Sequence, residues 1–156
     1  MTTWQKVWRD GFAPAISNGG LLALRAALQS DDWRIAQKAT TAPPPMPKTS
    51  DWPVEAACAL GYCGWQGGIG VETVGAVEEY FGRLCFEADQ RLGRPAACEG
   101  FLNWYDETPR PQMIAALLDE VERELSQRRE THRPRQRPAR TIGRPRVRQV
   151  DIVTAA

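Results

Sequence analysis

The feature that most limits how this chain can fold is the separation of its charges along the sequence. Residues 1–126 contain 11 Lys/Arg and 17 Asp/Glu, whereas residues 127–149 contain nine Arg and one Glu. The formal net charge of +1 over 156 residues hides this contrast. The arginine-rich end also has three prolines and few apolar residues, so it cannot build a core of its own. A folded body must therefore form from about the first 126 residues, enough for one domain.

Helical spacing of apolar residues dominates the body, and few segments before residue 140 alternate with the period of a strand. Ser17 and Thr73 are the expected N-caps, and Gly93 is the expected left-handed stop. We expect an all-α fold, a small bundle of about five to seven short helices. The periodicity predicts helices over about 3–12, 18–30, 53–61, 73–92 and 109–127, with short ones around Trp33 and after Pro95.

Composition divides the chain into four segments. Five prolines in residues 40–53 exclude a helix there and favour extended geometry. We interpret this stretch as an ordered or semi-rigid spacer, and a ligand for a proline-binding domain is the alternative. The predicted segments are an N-terminal helical segment (1–39), a Pro-rich connector (40–52), a helical core (53–127) and an Arg-rich disordered tail (128–156).

Glycines are concentrated in residues 61–70, which contain five of them and predict a loop. The segment lacks the Gly-Lys-Ser/Thr ending with which a P-loop meets phosphate and magnesium, and no strand precedes it. We interpret it as a turn that packs Trp65. The alternative is a loop whose backbone approaches a ligand closely.

Catalytic patterns are scarce, because His132 is the only histidine. This excludes most Ser/His/Asp and Cys/His nucleophiles and the metal sites built on paired histidines. No pattern brings the acidic residues together, so we predict no catalytic residue and no cofactor. The alternative is a small enzyme that uses carboxylates near the glycine-rich segment. The candidate carboxylates are Glu55, Glu78, Glu79, Glu87, Asp89, Asp106 and Glu107.

Four cysteines raise the question of zinc. The spacings Cys58-x4-Cys63 and Cys85-x12-Cys98 contain one loose knuckle and no second, whereas structural zinc sites use two close pairs. We predict buried free thiols and no metal, with zinc as the alternative. The sequence has neither an apolar run of about 18 residues nor a secretion signal, so we expect a cytoplasmic protein without membrane contact.

Aromatic residues are the first candidate for a partner surface. All six tryptophans lie in the body, and each ring also has a polar edge. Tryptophan and tyrosine are common hot spots of protein interfaces. The alternative is that they fill the core. The predicted partner surface consists of Trp52, Trp65, Trp104 and Tyr105.

The arginine-rich tail is the second candidate. Arginine supplies every positive charge of residues 128–148, and guanidinium groups bind phosphate bidentately and stack on bases. The tail therefore predicts nonspecific contact with DNA or RNA. Gly143-Arg144-Pro145-Arg146 resembles the centre of an AT-hook, a motif that lies in the minor groove of A·T-rich DNA. Ile142 stands where such a hook has a basic residue. The predicted contact residues are Arg133, Arg135, Arg137, Arg140, Arg144, Arg146 and Arg148.

Together these features predict a small non-enzymatic helical interaction module whose tail contacts nucleic acid nonspecifically. Arg128 and Arg129 also suit the negative end of the last helix. Two alternatives give the tail another role, either as a solubilising segment or as an autoregulatory one that covers an acidic surface. That surface would consist of Glu78, Glu79, Asp119, Glu120, Glu122 and Glu124.

Overall fold

Helices make up nearly all the regular structure of residues 1–134, which are the residues that the structure, a computed structural model, describes. Six α-helices and one two-stranded ladder form within this range, which confirms the predicted all-α bundle. None of these helices is both long and apolar enough to cross a membrane. The helices are α1 (Thr3–Lys6), α2 (Asn18–Gln29), α3 (Ala59–Gln66), α4 (Val74–Leu92), α5 (Glu99–Glu107) and α6 (Arg110–His132).

Helix α1 continues without a break into a π-helical segment, Val7–Phe12, and then a 3-10 turn, Ala13–Ala15. The helix predicted over residues 3–12 is therefore present, and its second half has the wider turns of a π-helix. Trp8 and Phe12 are buried there. The π-helical segment packs on α4, and a Cβ on Gly11 would lie 3.2 Å from that of Ala88. Glycine thus permits the close approach of these two elements.

Local capping signals are confirmed. The Ser17 hydroxyl accepts a 3.1 Å hydrogen bond from the Gly20 amide at the start of α2. The Thr73 hydroxyl accepts one of 3.2 Å from the Ala76 amide at the start of α4. Gly93 ends α4 with φ 74°, the left-handed conformation that favours glycine.

The prediction of a short helix around Trp33 is wrong. Ile35 forms a parallel bridge with Ala57 instead, and the Ala36 amide donates to the Ala57 carbonyl at 2.8 Å. The Arg34 carbonyl also accepts a 2.9 Å hydrogen bond from the Ala57 amide. These long-range bonds use backbone groups that a local helix would need, so the segment is extended.

The proline-rich connector is packed against its neighbours. Strand β1 (Thr41–Ala42) pairs antiparallel with β2 (Ala56–Ala57), and a 3-10 turn spans Pro47–Thr49. The Ser50 carbonyl accepts a 2.9 Å bond from the Gly75 amide at the start of α4. The connector therefore lies along the first turn of α4.

Two boundaries between residues 53 and 70 are wrong. The helix predicted over 53–61 begins only at Ala59, because β2 precedes it. The predicted loop of residues 61–70 is helical as far as Gln66. Gly64 within the helical part serves packing, since a Cβ there would lie 2.5 Å from Cδ1 of Tyr80. Gly68 and Gly70 lie beyond the helix, both with φ 77°. The glycines of this segment suggest a loop in the sequence, but close contact with α4 explains the one at position 64.

The last two helices also differ in their limits from the prediction. Helix α5 begins at Glu99 rather than at Pro95, because the Asp89 carboxylate accepts the Ala96 and Cys98 amides at 3.0 and 2.8 Å and holds a turn there. Helix α6 begins at Arg110 without a side-chain cap bond and continues to His132, beyond the boundary predicted at residue 127.

The core lies where the π-helical segment, α5 and α6 meet. The rings of Trp8 and Phe12 approach that of Phe101 with centroid separations of 5.6 and 5.3 Å. Leu117 of α6 and Leu24 of α2 are also fully buried in this cluster. A single apolar cluster thus joins the two ends of the described chain.

Glycine substitutions in α3 and α4 test the packing role of the α3 glycines. Gly64→Ala should lower the free energy of unfolding by about 1–3 kcal/mol, because its methyl group would overlap the buried Tyr80 ring. Gly82→Ala is the matched control, since no atom lies within 4 Å of the point where its methyl group would stand. It should raise the free energy by about 0.5–1 kcal/mol. Urea unfolding followed by circular dichroism measures both, and equal effects would contradict the packing role.

Candidate functional site

A basic groove runs between α2 and the end of α6. Leu22 and Leu125 provide its apolar surface, and its volume is about 330 Å³. Its cationic side chains come from both helices, whose sequence positions are about a hundred residues apart. The polar lining residues are Asn18, Arg25, Arg128, Arg129 and His132.

Arg128 holds the two sides of the groove together. Its guanidinium donates to Glu124 Oε1 at 2.9 Å, to Asn18 Oδ1 at 2.9 Å and to the Ala13 carbonyl at 2.7 Å. The bonds to Asn18 and Ala13 fix the last turns of α6 against the start of α2 and the turn before it, whereas the bond to Glu124 lies within α6. Arg128 therefore has a structural role in addition to the favourable helix-end position that the sequence predicts.

Unlike Arg128, Arg25 and Arg129 are not held by ion pairs of the described residues. Within residues 1–134, neither guanidinium forms an ion pair. Among the described residues, Arg129 donates a hydrogen bond only to the Ser126 hydroxyl, at 3.4 Å. Sequence reasoning missed Arg25 as a candidate, because its only sequence signal is a single cation on the polar side of α2. The groove therefore presents two guanidinium groups that remain available to an anion.

Arg133 is the one predicted tail contact that the structure describes. It is exposed and follows α6 directly, and it shares a surface depression with Arg129 and His132. This places Arg133 next to the basic groove. The other predicted contacts lie outside the described residues: Arg135, Arg137, Arg140, Arg144, Arg146 and Arg148.

The predicted aromatic partner surface is corrected in part. Tyr105 is only 2% exposed, so it cannot contribute to a surface. Trp104 is half-buried and stacks on Trp4 with ring centroids 3.6 Å apart. Trp65 is half-buried beside Tyr62.

The most accessible tryptophans among the described residues are Trp33 and Trp52, 72% and 51% exposed. Sequence reasoning missed Trp33, because its spacing from Ile35 and Ala36 suggests a helix. Of the four predicted aromatics, Tyr105 is part of the main apolar cluster, Trp65 and Trp104 pack against that cluster, and only Trp52 is exposed.

The predicted exposure of Glu120 is also wrong. The sequence predicts it within an exposed acidic surface, yet it is only 4% exposed. Its two oxygens accept 2.7 and 2.8 Å bonds from the Arg9 guanidinium, and Gln5 adds a bond of 3.1 Å. The side-chain bond to Glu120 raises the pKa of Arg9. Glu120 thus binds a cation of the body, and Glu124 binds Arg128 in the last turns of α6.

Tyr105 instead organises the junction between α5 and the extended segment. Its hydroxyl donates to the Ala36 carbonyl at 2.7 Å and accepts from the Ala59 amide at 3.1 Å. Burial raises the pKa of Tyr105 well above its ordinary value. Asp106 adds a bond, because its Oδ1 accepts the Lys38 amide at 2.8 Å.

This junction borders a cavity of about 150 Å³. Asp106 lies at its edge, whereas Glu55 and Glu107, the other carboxylates named for an enzymatic alternative, do not line it. Its lining residues are Lys38, Ala39, Thr40, Cys58, Ala59, Leu60, Phe81, Phe101, Leu102, Tyr105 and Asp106.

The cysteines are free thiols, and Cys58, Cys63 and Cys98 are buried as predicted, whereas Cys85 is half-buried. Burial raises the pKa of Cys58 and of Cys98 to about 11 and raises those of the other two as well. Within residues 1–134, no three side chains of the metal-binding types are placed to hold an ion.

No protein-family model, no curated protein and no solved structure matches this chain.

Thiol reactivity tests the burial of the cysteines. At pH 8 an ordinary cysteine with a pKa near 8.5 is partly ionised, whereas a pKa of about 11 leaves roughly one Cys58 or Cys98 in a thousand as thiolate. Reaction with a thiol reagent should be about 100-fold slower in the native protein than in urea. It should accelerate as the pH rises toward 11. Fast native reaction would contradict the burial, and acceleration by a chelator would indicate zinc.

Proposed function

We propose that this protein is a small non-enzymatic helical module that contacts nucleic acid without sequence specificity. Its contact surface begins in the basic groove between α2 and α6 and continues along the arginines after residue 132. One observation carries the proposal: Arg25 and Arg129 line that groove, and Arg133 follows next to it. The folded body thus supplies cations at the point where the arginine-rich sequence starts.

The chemistry of the groove suits a phosphate backbone. Guanidinium groups bind phosphate oxygens in a bidentate way. Within residues 1–134, Arg25 and Arg129 form no ion pair, although Glu130 lines the same depression as Arg129. Asn18, the first residue of α2, adds the partial positive charge of a helix start. Backbone contacts of this kind contribute affinity without reading sequence.

The end of α6 by itself would repel an anion, because the last carbonyls of a helix carry partial negative charge. Arg129 lies in that last turn and offsets it. Arg128 adds its own positive charge and keeps α6 seated on α2. The arginines at this boundary therefore both support the helix end and make its surface attractive to phosphate.

Salt dependence of binding tests the contribution of the sequence beyond the described residues. A full-length variant with Gln in place of Arg135, Arg137, Arg140, Arg144, Arg146 and Arg148 is compared with the wild type by fluorescence anisotropy on labelled duplex and single-stranded DNA. If these six arginines contact phosphates, the slope of log affinity against log salt on duplex should fall by about five between about 50 and 200 mM salt. An unchanged slope, or no wild-type binding, would overturn the proposal and favour a solubilising or autoregulatory role.

Two double variants isolate the groove. Arg25→Gln with Arg129→Gln removes the groove cations and should reduce the slope on duplex by about two. Arg83→Gln with Arg123→Gln removes the same charge from α4 and α6 without touching the groove and should leave the slope nearly unchanged. Equal effects of the two pairs would show a general charge effect and exclude the groove as a contact site.

A further inference from the structure

The cavity beside Tyr105 takes no part in the proposed nucleic-acid contact. It lies at the junction of α3, α4, α5 and residues 38–40. Leu60, Phe81, Phe101 and Leu102 supply its apolar lining, one or two from each of three helices. Three separate helices therefore converge on a space that their side chains leave open.

The size of the cavity limits what it can hold. Pockets for drug-sized ligands have volumes of roughly 300–1,000 Å³, more than the 150 Å³ present here. The space is open to solvent on one side, its walls combine apolar side chains with the polar residues Lys38, Thr40 and Asp106, and its volume is enough for a molecule of benzene size. The side chains of Phe81 and Phe101 favour a flat ring, because aromatic rings attract one another in offset and edge-to-face arrangements. The space thus suits a single aromatic ring.

The polar edge of the cavity indicates which substituent the ring carries. The Tyr105 hydroxyl already donates to Ala36 and accepts from Ala59, so it is occupied. Asp106 Oδ1 accepts the Lys38 amide, and no donor within residues 1–134 reaches its Oδ2. Asp106 is partly exposed, so this oxygen is an acceptor at the edge of the cavity to which a hydroxyl group on the ring can donate in place of water.

The backbone beside this acceptor is strained. Lys38 has φ 63°, a left-handed conformation that is uncommon for residues other than glycine, asparagine and aspartate. Its amide bond to Asp106 holds the turn in place. Strained backbone persists where the surroundings fix it, and it is concentrated at ligand sites. Strain, an open acceptor and an aromatic cavity thus occur together.

We propose that this cavity binds small phenols. The ring lies among Phe81, Phe101 and Leu102, and its hydroxyl donates to Asp106 Oδ2. Asp106 acts here as a specificity-determining residue, because it distinguishes a ring with a donor from one without. The inference is independent of nucleic-acid contact, since the basic groove and the cavity share no lining residue.

Phenol and anisole test the role of Asp106, because they have similar rings but only phenol can donate. Titration of the full-length protein, followed by amide chemical shifts, should show saturable phenol binding at residues around the cavity and about tenfold weaker anisole binding. Asp106→Asn keeps an oxygen for the Lys38 amide but replaces the second oxygen with a donor. It should abolish the preference for phenol. No saturable binding, or a preference that survives in this variant, would overturn the proposal.

A plugged variant tests the location independently. Leu102→Trp places a larger side chain at the cavity wall and should weaken phenol binding at least tenfold. Asn103→Trp adds the same ring at the next, exposed position of α5, outside the cavity lining, and should bind phenol normally. Phenol binding retained by both would place the site elsewhere. Because the Asp106→Asn comparison needs no plug, it decides the proposal even if Leu102→Trp fails to fold.

Discussion

The hydroxyl of Tyr105 is the contact on which the arrangement of the non-helical segments depends. It joins the Ala36 carbonyl to the Ala59 amide, and so connects the extended chain to the start of α3. Buried backbone groups must find partners, and this one side chain satisfies two of them. Gln37 reinforces the junction by donating to the Tyr105 and Thr108 carbonyls at 2.7 and 2.8 Å. These bonds anchor α5, and they thereby fix the positions of the β1–β2 ladder and of the cavity beside Asp106.

Two long-range contacts of charged side chains attach the N-terminal segment and α6 to this framework. Glu120 is buried between Arg9 and Gln5, and Arg128 joins α6 to α2. Both pairs link residues more than a hundred positions apart. A buried carboxylate is tolerated only with such partners, because desolvation without them is costly. The same contacts separate structural arginines from the ones that line the basic groove.

The two proposed sites depend on the fold in different ways. The basic groove depends on charge, which can tolerate movement of long side chains, and it lies at the end of the described chain. The cavity depends on shape and on a single acceptor, so it requires the rigid junction that Tyr105 provides. One small bundle can therefore support a diffuse electrostatic contact and a shape-selective site on separate surfaces.

The linear pattern of residues was enough to predict the helical class, the caps at Ser17 and Thr73, the stop at Gly93 and the helical identity of α2, α4 and α6. These features depend on neighbours within three or four residues, so they are visible along the chain. The helical state of residues 61–66, the burial of Glu120 and the position of Asp106 beside a cavity emerged only from the folded arrangement. Each of these outcomes depends on a partner distant in sequence, as with Gly64 against Tyr80 or Glu120 against Arg9. Local spacing carries no information about which distant surface a residue will face.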